Sequence, residues 1–263
     1  MFSSSTLRNA AAAAAFFVAA SSAGSRAADA NGCAQETFES GRYAVCTVDA
    51  SASGLRLFWN DGEGKPFRNF SNLAKAIEGG GGELLFALNG GMYQRDFTPV
   101  GLHIEDGQEL RPADRASVEG PPAKVPNFYK KPNGVFFIGE GKAGILPTEV
   151  FLQKRPEARF ATQSGPMLVI ENELHPALIP GSTDKTRRSG VGICAEGQVR
   201  FAVSDDAVNF HDFARLFRDG LGCRDALFLD GGRGVGLYVP SLGRNDWSWY
   251  GGYGPIIGLV TQR

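Results

Sequence analysis

Short apolar runs alternate along this chain with polar stretches that carry glycine or proline, and a helical period is rarely sustained. "ELLFALNGG" (83–91), "NGVFFIGEGKAGILP" (133–147), "GVGICAEGQVRFAVSDD" (190–206), "ALFLDGG" (226–232) and "PIIGLVTQR" (255–263) each hold apolar runs of strand length bounded by turn residues. "EDG" at 105–107, "GEGK" at 139–142 and "EG" at 196–197 predict hairpin turns. "RYAVCTVDA" (42–50) and "LRLFW" (55–59), separated by "SASG", predict a further hairpin. "ATQSGPMLVIENELHP" places a Gln163-Ser164-Gly165-Pro166 turn directly before a strand.

Helical signals are few. "SNLAKAIEGGGG" (71–82) predicts a short helix capped by Ser71 and ended by glycine. In "VNFHDFARLFRDGLG" (208–222), Asn209 is the N-cap, Phe210, Phe213 and Phe217 share one face, and Gly220 stops the helix. Residues 111–132 hold Pro112, Pro121, Pro122, Pro126 and Pro132 and predict a long surface loop. Residues 181–189, "GSTDKTRRS", predict a polar loop with adjacent arginines. No internal repeat or linker divides the chain. The expected fold is α+β: a single domain with mixed, strand-rich sheets and about three helices.

Composition adds little to that picture. The chain has 263 residues, 43% hydrophobic and 21% charged, with a formal net charge of -1, so no basic surface points to nucleic acid. Glycine (35) and phenylalanine (19) stand out, the first implying many turns and close backbone approaches, the second bulk for a core. The N-terminus changes more. Arg8, an apolar run over 10–20 and small residues at Ala28 and Ala30 have the anatomy of a secretory signal peptide. Residues 1–30 are therefore expected to be removed, with the mature chain starting between 25 and 31, and 31–263 forming the domain. The apolar run is shorter than the roughly 20 residues a membrane span needs, so a secreted or periplasmic protein is expected. In that setting Cys33, Cys46, Cys194 and Cys223 predict two disulfides rather than a metal or redox motif. Closeness in sequence favours Cys33–Cys46, and the flanking elements favour Cys194–Cys223.

Candidate chemistry lies at strand ends. Asn89-Gly90-Gly91, Asn133-Gly134, Gln163-Ser164-Gly165 and Asp230-Gly231-Gly232 all put polar side chains and glycines beside an apolar run. Each alone is an ordinary turn; strand ends at one rim of a sheet can converge on a cleft. "TQSGP" does not match the G-x-S-x-G elbow, and His103, His175 and His211 sit where a satisfied or surface histidine is ordinary, which disfavours a serine hydrolase. Paired carboxylates are the better candidate, with Asp230 the most constrained acid and Asp96, Glu105, Asp205 and Asp206 possible partners. Arg187 and Arg188 carry the fork geometry that suits phosphate or carboxylate oxygens.

"FALNGGMY", "TPVGLHIEDG", "KPNGVFF", "TQSGPMLV", "RSGVGI", "NFHDFARLFRDGLGC" and "ALFLDGG" occur in an order that resembles the phosphodiester glycosidase family, from about Tyr43 to Ile257. The resemblance implies hydrolysis of a sugar-1-phosphodiester at its glycosidic bond without a cofactor. It implies Asp230 as the catalytic acid or nucleophile and extends to Asp96; the second carboxylate is expected to be Asp96 or, from the strand end they occupy, Asp205 or Asp206. Asn89, Asn133, Gln163, Ser164 and Arg188 are the implied substrate contacts, and Gly90 and Gly231 of the strand-end clusters are expected beside them. One departure is visible: family members carry serine shortly after the Asp-Gly pair, where this chain reads Arg233-Gly234-Val235-Gly236. The expected function is an exported hydrolase of a phosphate-linked glycan, acting as a monomer with no metal, no nucleic acid and no stable membrane insertion. A non-catalytic glycan- or phosphate-binding protein on the same fold is the alternative, and a metal-dependent phosphodiesterase using Asp205, Asp206 and Asp230 a third.

Overall fold

The apolar runs become strands of three antiparallel sheets, and a computed structural model describes residues 1–2, 32–51, 54–121 and 124–262 of the chain. The expected signal peptide, apart from its first two residues, lies outside the described residues. The largest sheet has seven strands in the order Gly32–Phe38, Gly41–Asp49, Gln198–Ser204, Arg188–Cys194, Cys223–Gly231, Met167–Ile170 and Glu173–Leu174. A second, of five strands, runs Arg244–Asn245, Leu237–Val239, Gly82–Asn89, Ile256–Gln262 and Leu55–Phe58. The third, also of five strands, runs Gln108–Arg111, His103–Glu105, Phe160–Ser164, Gly134–Gly139 and Lys142–Pro147.

The three sheets enclose one core. Val191, Phe201, Leu227 and Leu229 of the first sheet meet Phe86, Leu88 and Ile257 of the second and Phe136 and Ile138 of the third. Phenylalanine bridges the layers: the Phe201 ring lies 5.7 Å from Phe86 and 5.8 Å from Phe136, centroid to centroid. Aromatic bulk of this kind fills a space where three twisted sheets cannot pack evenly. Each sheet also carries one helix on its outer face. Helix Phe210–Arg215 sets Phe213, and Phe217 just beyond it, against Ala226 and Phe228. Helix Phe70–Gly79 covers Ala87 and Ile256, and helix Thr148–Lys154 sets Phe151 against Val135, Phe137 and Ala161. Strands covered on both sides explain why the sequence shows continuous apolar runs rather than alternation. The molecule is thus a single-domain, strand-rich α+β fold.

Several local expectations hold, and three need correction. The hairpins at 105–107, 139–142 and 196–197 form, and Asn209 caps its helix by accepting from the Asp212 amide at 2.8 Å. The expected hairpin between 42–50 and 55–59 does not: the first strand pairs within the seven-stranded sheet and Leu55–Phe58 pairs with Ile256–Gln262. Both segments have strand propensity, but their partners come from distant sequence. Asn69 rather than Ser71 caps the first long helix, its Oδ1 accepting from Asn72 N at 2.8 Å. Gln163 and Ser164 belong to strand Phe160–Ser164 rather than to a turn. The disulfides are Cys33–Cys46, across the first hairpin, and Cys194–Cys223, across two central strands.

Candidate active site

Strand Cys223–Gly231 carries four consecutive buried residues, Ala226 to Leu229, and its last side chain before the glycines is Asp230. Asp230 lies opposite Ser189 in the register of strand Arg188–Cys194. The Ser189 hydroxyl, fully buried, accepts from the Asp230 amide and donates to the Asp230 carbonyl, both at 3.2 Å. It also accepts from Asn89 Nδ2 at 2.8 Å. Asn89 Oδ1 accepts from Gly236 N at 3.2 Å, so one buried amide ties the ends of three strands around the acid. The carboxylate itself takes one local bond, from Gly231 N at 2.7 Å, and its other oxygen lies over Gly234.

Burial dominates the electrostatics. It pushes the Asp230 carboxyl up to about 7, against the Gly231 N–H, which favours the charged form. Among the described residues no arginine or lysine pairs with it. Nearby, the half-buried Tyr93 donates its hydroxyl to Gly252 O at 2.8 Å and is pushed up to about 12, mainly by burial, with the charge of Asp230 adding to the shift. Beneath the glycine loop lies an ion network. Gly232 N donates to Arg187 O at 2.9 Å, Arg187 reaches Asp246 at 3.0 Å, and Arg244 joins Asp246 at 2.8 Å to Asp205 at 2.7 Å.

The other expected residues are distributed differently. Ser164 donates to Leu229 O at 2.9 Å, bringing the third sheet against the strand one residue before Asp230. Gln163 is buried with every polar position engaged: Oε1 accepts from Leu102 N and Asp114 N, and Nε2 donates to Asp114 O and Thr148 Oγ1. An amide has two donors and two acceptor sites, so this side chain clamps the 111–132 loop. Asn133 donates to Phe128 O at 2.9 Å, and Gly90 donates its amide to Pro255 O at 2.7 Å.

Arg188 is 1% exposed and lies on the face of its strand opposite Ser189. Its Nε donates to Val208 O at 2.9 Å, its Nη2 to Asp184 O at 3.1 Å, and its guanidinium stacks 3.6 Å from the Phe210 ring centroid. Burial pulls it down to about 10. On this helical side opens a cleft of about 530 Å³ lined by Tyr129, Lys130, Lys131, Asp184 and Phe210. Asp96 is exposed and caps its own turn at Thr98 N, 3.0 Å away, while Asp206 is held by Arg42 at 2.8 Å and lies well below the usual range, near 2. Asp205 belongs to the Arg244 network. None of the three hydrogen-bonds to Asp230. Nor do the histidines: His103 meets Glu105 at 2.6 Å, His175 Lys131 O at 3.0 Å, and His211 Asp212 at 3.6 Å. The residues missed from sequence are Ser189, which strand alternation sets on the face opposite Arg188, and Tyr93, which stands four residues beyond Asn89.

Residues 82–252, which hold every residue of this site, match the model of the phosphodiester glycosidase family. The chain belongs to that family. It is 34% identical over 185 residues, 70% of each chain, to the uncharacterized protein YigE of Escherichia coli (strain K12). Its fold is similar to the zebrafish N-acetylglucosamine-1-phosphodiester alpha-N-acetylglucosaminidase catalytic domain auto-inhibited by its pro-peptide, at a TM-score of 0.60 and 16% identity, covering 86% of this chain and 81% of that one. A hypothetical protein from Synechocystis shares the fold at a TM-score of 0.53 and 14% identity, over 88% of this chain and 61% of the other. Membership of a phosphodiester glycosidase family makes a glycan the substrate class, and among the described residues no helix is long and apolar enough to cross a membrane.

Proposed function

We propose that this phosphodiester glycosidase is an exported hydrolase that cleaves the glycosidic bond of a sugar-1-phosphodiester or a related phosphate-linked glycan, with Asp230 as its general base. The observation that carries the reading is a carboxyl raised to about 7 at a junction of strand ends. A base is most effective when its pKa lies near the working pH. Breaking the sugar–oxygen bond of such a substrate releases a phosphate monoester, a good leaving group that needs little protonation. The demand on the protein is to deprotonate the water that attacks the anomeric carbon and to stabilise positive charge on the sugar ring. An ionised Asp230 serves both.

Asn89 and Ser189 fix the backbone on either side of Asp230, so the acid is presented in one orientation. Arg233, exposed three residues further on, is suited to the phosphate. The two disulfides and the signal-like N-terminus support a secreted or periplasmic location. The test is product analysis on a panel of glycosyl phosphodiesters with kcat/KM followed against pH. Release of reducing sugar with a rate rising through about pH 7 supports the proposal, and a rate falling there assigns Asp230 as the acid.

A non-catalytic sugar-phosphate-binding protein is the second reading, favoured by Arg233-Gly234-Val235-Gly236 holding no hydroxyl where the resemblance implies a serine. Binding without release of reducing sugar over hours would establish it.

A further inference from the structure

Trp247, Trp249 and Tyr250 are 62%, 80% and 59% exposed, three large aromatics within four residues. Soluble proteins seldom leave such a patch uncovered without a use for it. The backbone beneath is firmly held. Between the two tryptophans, Ser248 is buried; its hydroxyl donates to Arg233 O at 3.4 Å and accepts from Tyr250 N at 3.2 Å. Arg68 Nη2 donates to Gly251 O at 2.8 Å, and Tyr93 donates to Gly252 O at the same distance. Gly252 has φ +154 against the Arg68 backbone, a conformation and a closeness that another residue would not fit. The aromatics are therefore presented by a fixed loop, so little entropy is lost when something stacks on them.

The position of this loop is the second observation. Arg233, whose carbonyl Ser248 holds, lies three residues past Asp230, and the Tyr93 hydroxyl that anchors Gly252 feels the charges of both Asp230 and Tyr250. The platform adjoins the catalytic carboxylate. We propose that Trp247, Trp249 and Tyr250 form a sugar-stacking subsite that binds pyranose rings of a glycan chain extending from the bond cleaved at Asp230. Flat aromatic faces match the C–H faces of pyranose rings, and the hydroxyls around the rings stay in water. The loop's charge does not suit an anionic membrane surface: Arg244 is the one cation between 234 and 254 and is spent on Asp205 and Asp246, and the exposed Arg68 and Arg233 at the loop's edge fall short of a basic cluster. The substrate is then a polymer or long oligosaccharide rather than a single sugar phosphate.

This inference rests on the glycosidase reading, and its test needs no turnover. In the full chain carrying Asp230→Asn, titration calorimetry is run with hexasaccharides of N-acetylglucosamine, glucose and mannose, with each monosaccharide, and with phosphatidylglycerol–phosphatidylethanolamine vesicles. At least one hexasaccharide is expected to bind more tightly than its monosaccharide. Trp247→Ala and Trp249→Ala are each expected to weaken that binding about five- to tenfold, with Trp249→Phe losing less. Unchanged hexasaccharide affinity in both alanine variants, no hexasaccharide bound above its monosaccharide, or Trp-dependent vesicle binding in place of glycan binding would each overturn the proposal. Failure of the glycosidase reading itself shows separately, as wild-type turnover in Asp230→Asn.

Discussion

The carboxylate of Asp230 occupies the space that a side chain on Gly234 would need. The absence of a side chain at Gly234 is therefore what lets the acid lie over the loop. Gly234→Ala keeps an ordinary backbone conformation but forces the carboxylate to rotate away. A fall in kcat/KM of about tenfold or more is expected, with the midpoint of the pH profile displaced and the melting temperature little changed. Gly234→Ser is expected to do the same, and unchanged kinetics in both would separate the glycine from the orientation of the acid.

Asp230 trades stability for chemistry. Its folded pKa of about 7 lies above an unfolded value near 3.9, so the folded state holds a proton that the unfolded state has lost between those values. Its contribution to stability is present below about pH 4 and is lost as pH rises through about 7. Asp230→Asn should therefore melt higher than wild type at about pH 8, by up to a few kcal/mol, and at the same temperature at about pH 3, while losing turnover on the order of a hundredfold or more. Calorimetric scans at the two pH values check the sign.

Ser189 is a buried hub with three hydrogen bonds. Ser189→Ala leaves the Asn89 amide and the Asp230 N–H without their shared partner, at a cost of about 1–3 kcal/mol. Denaturant melts measure that loss, and kcat is expected to fall more than KM rises, because the acid loses its orientation and not its charge.

Arg188 separates scaffold from substrate contact. Its guanidinium is spent on Val208 O, Asp184 O and the Phe210 ring. Arg188→Ala is expected to lose about 2–4 kcal/mol of stability. A soluble variant melting like wild type, with only KM raised, would instead assign the residue to the substrate.

Two residues of the candidate site stand out in the sequence. Asp230 is marked by an aliphatic run that stops on an acid with glycines behind it, and Asn89 by the same signature at 83–91. Local signals of this kind survive because they are written in consecutive residues. Ser189 was not legible, since its role depends on a strand register reached across 41 residues, and a serine beside two arginines draws no notice. Gln163 and Arg188 looked like ligands because polar side chains at strand ends can face a cleft or the interior, and sequence does not distinguish the two.

By itself, then, the sequence determined the strand-rich α+β character, the hairpins turning at 105–107, 139–142 and 196–197, the phenylalanine face of the 210–217 helix and the family. These follow from periodicity, turn chemistry and short ordered motifs. Tertiary structure decided which strands pair, as with 42–50 and 55–59 joining different sheets, and which polar groups are consumed in holding the fold. It also decided that burial pushes the Asp230 carboxyl up to about 7 and that Trp247 and Trp249 stand exposed to water. Burial and pairing depend on what arrives from elsewhere in the chain, and no local pattern carries that information.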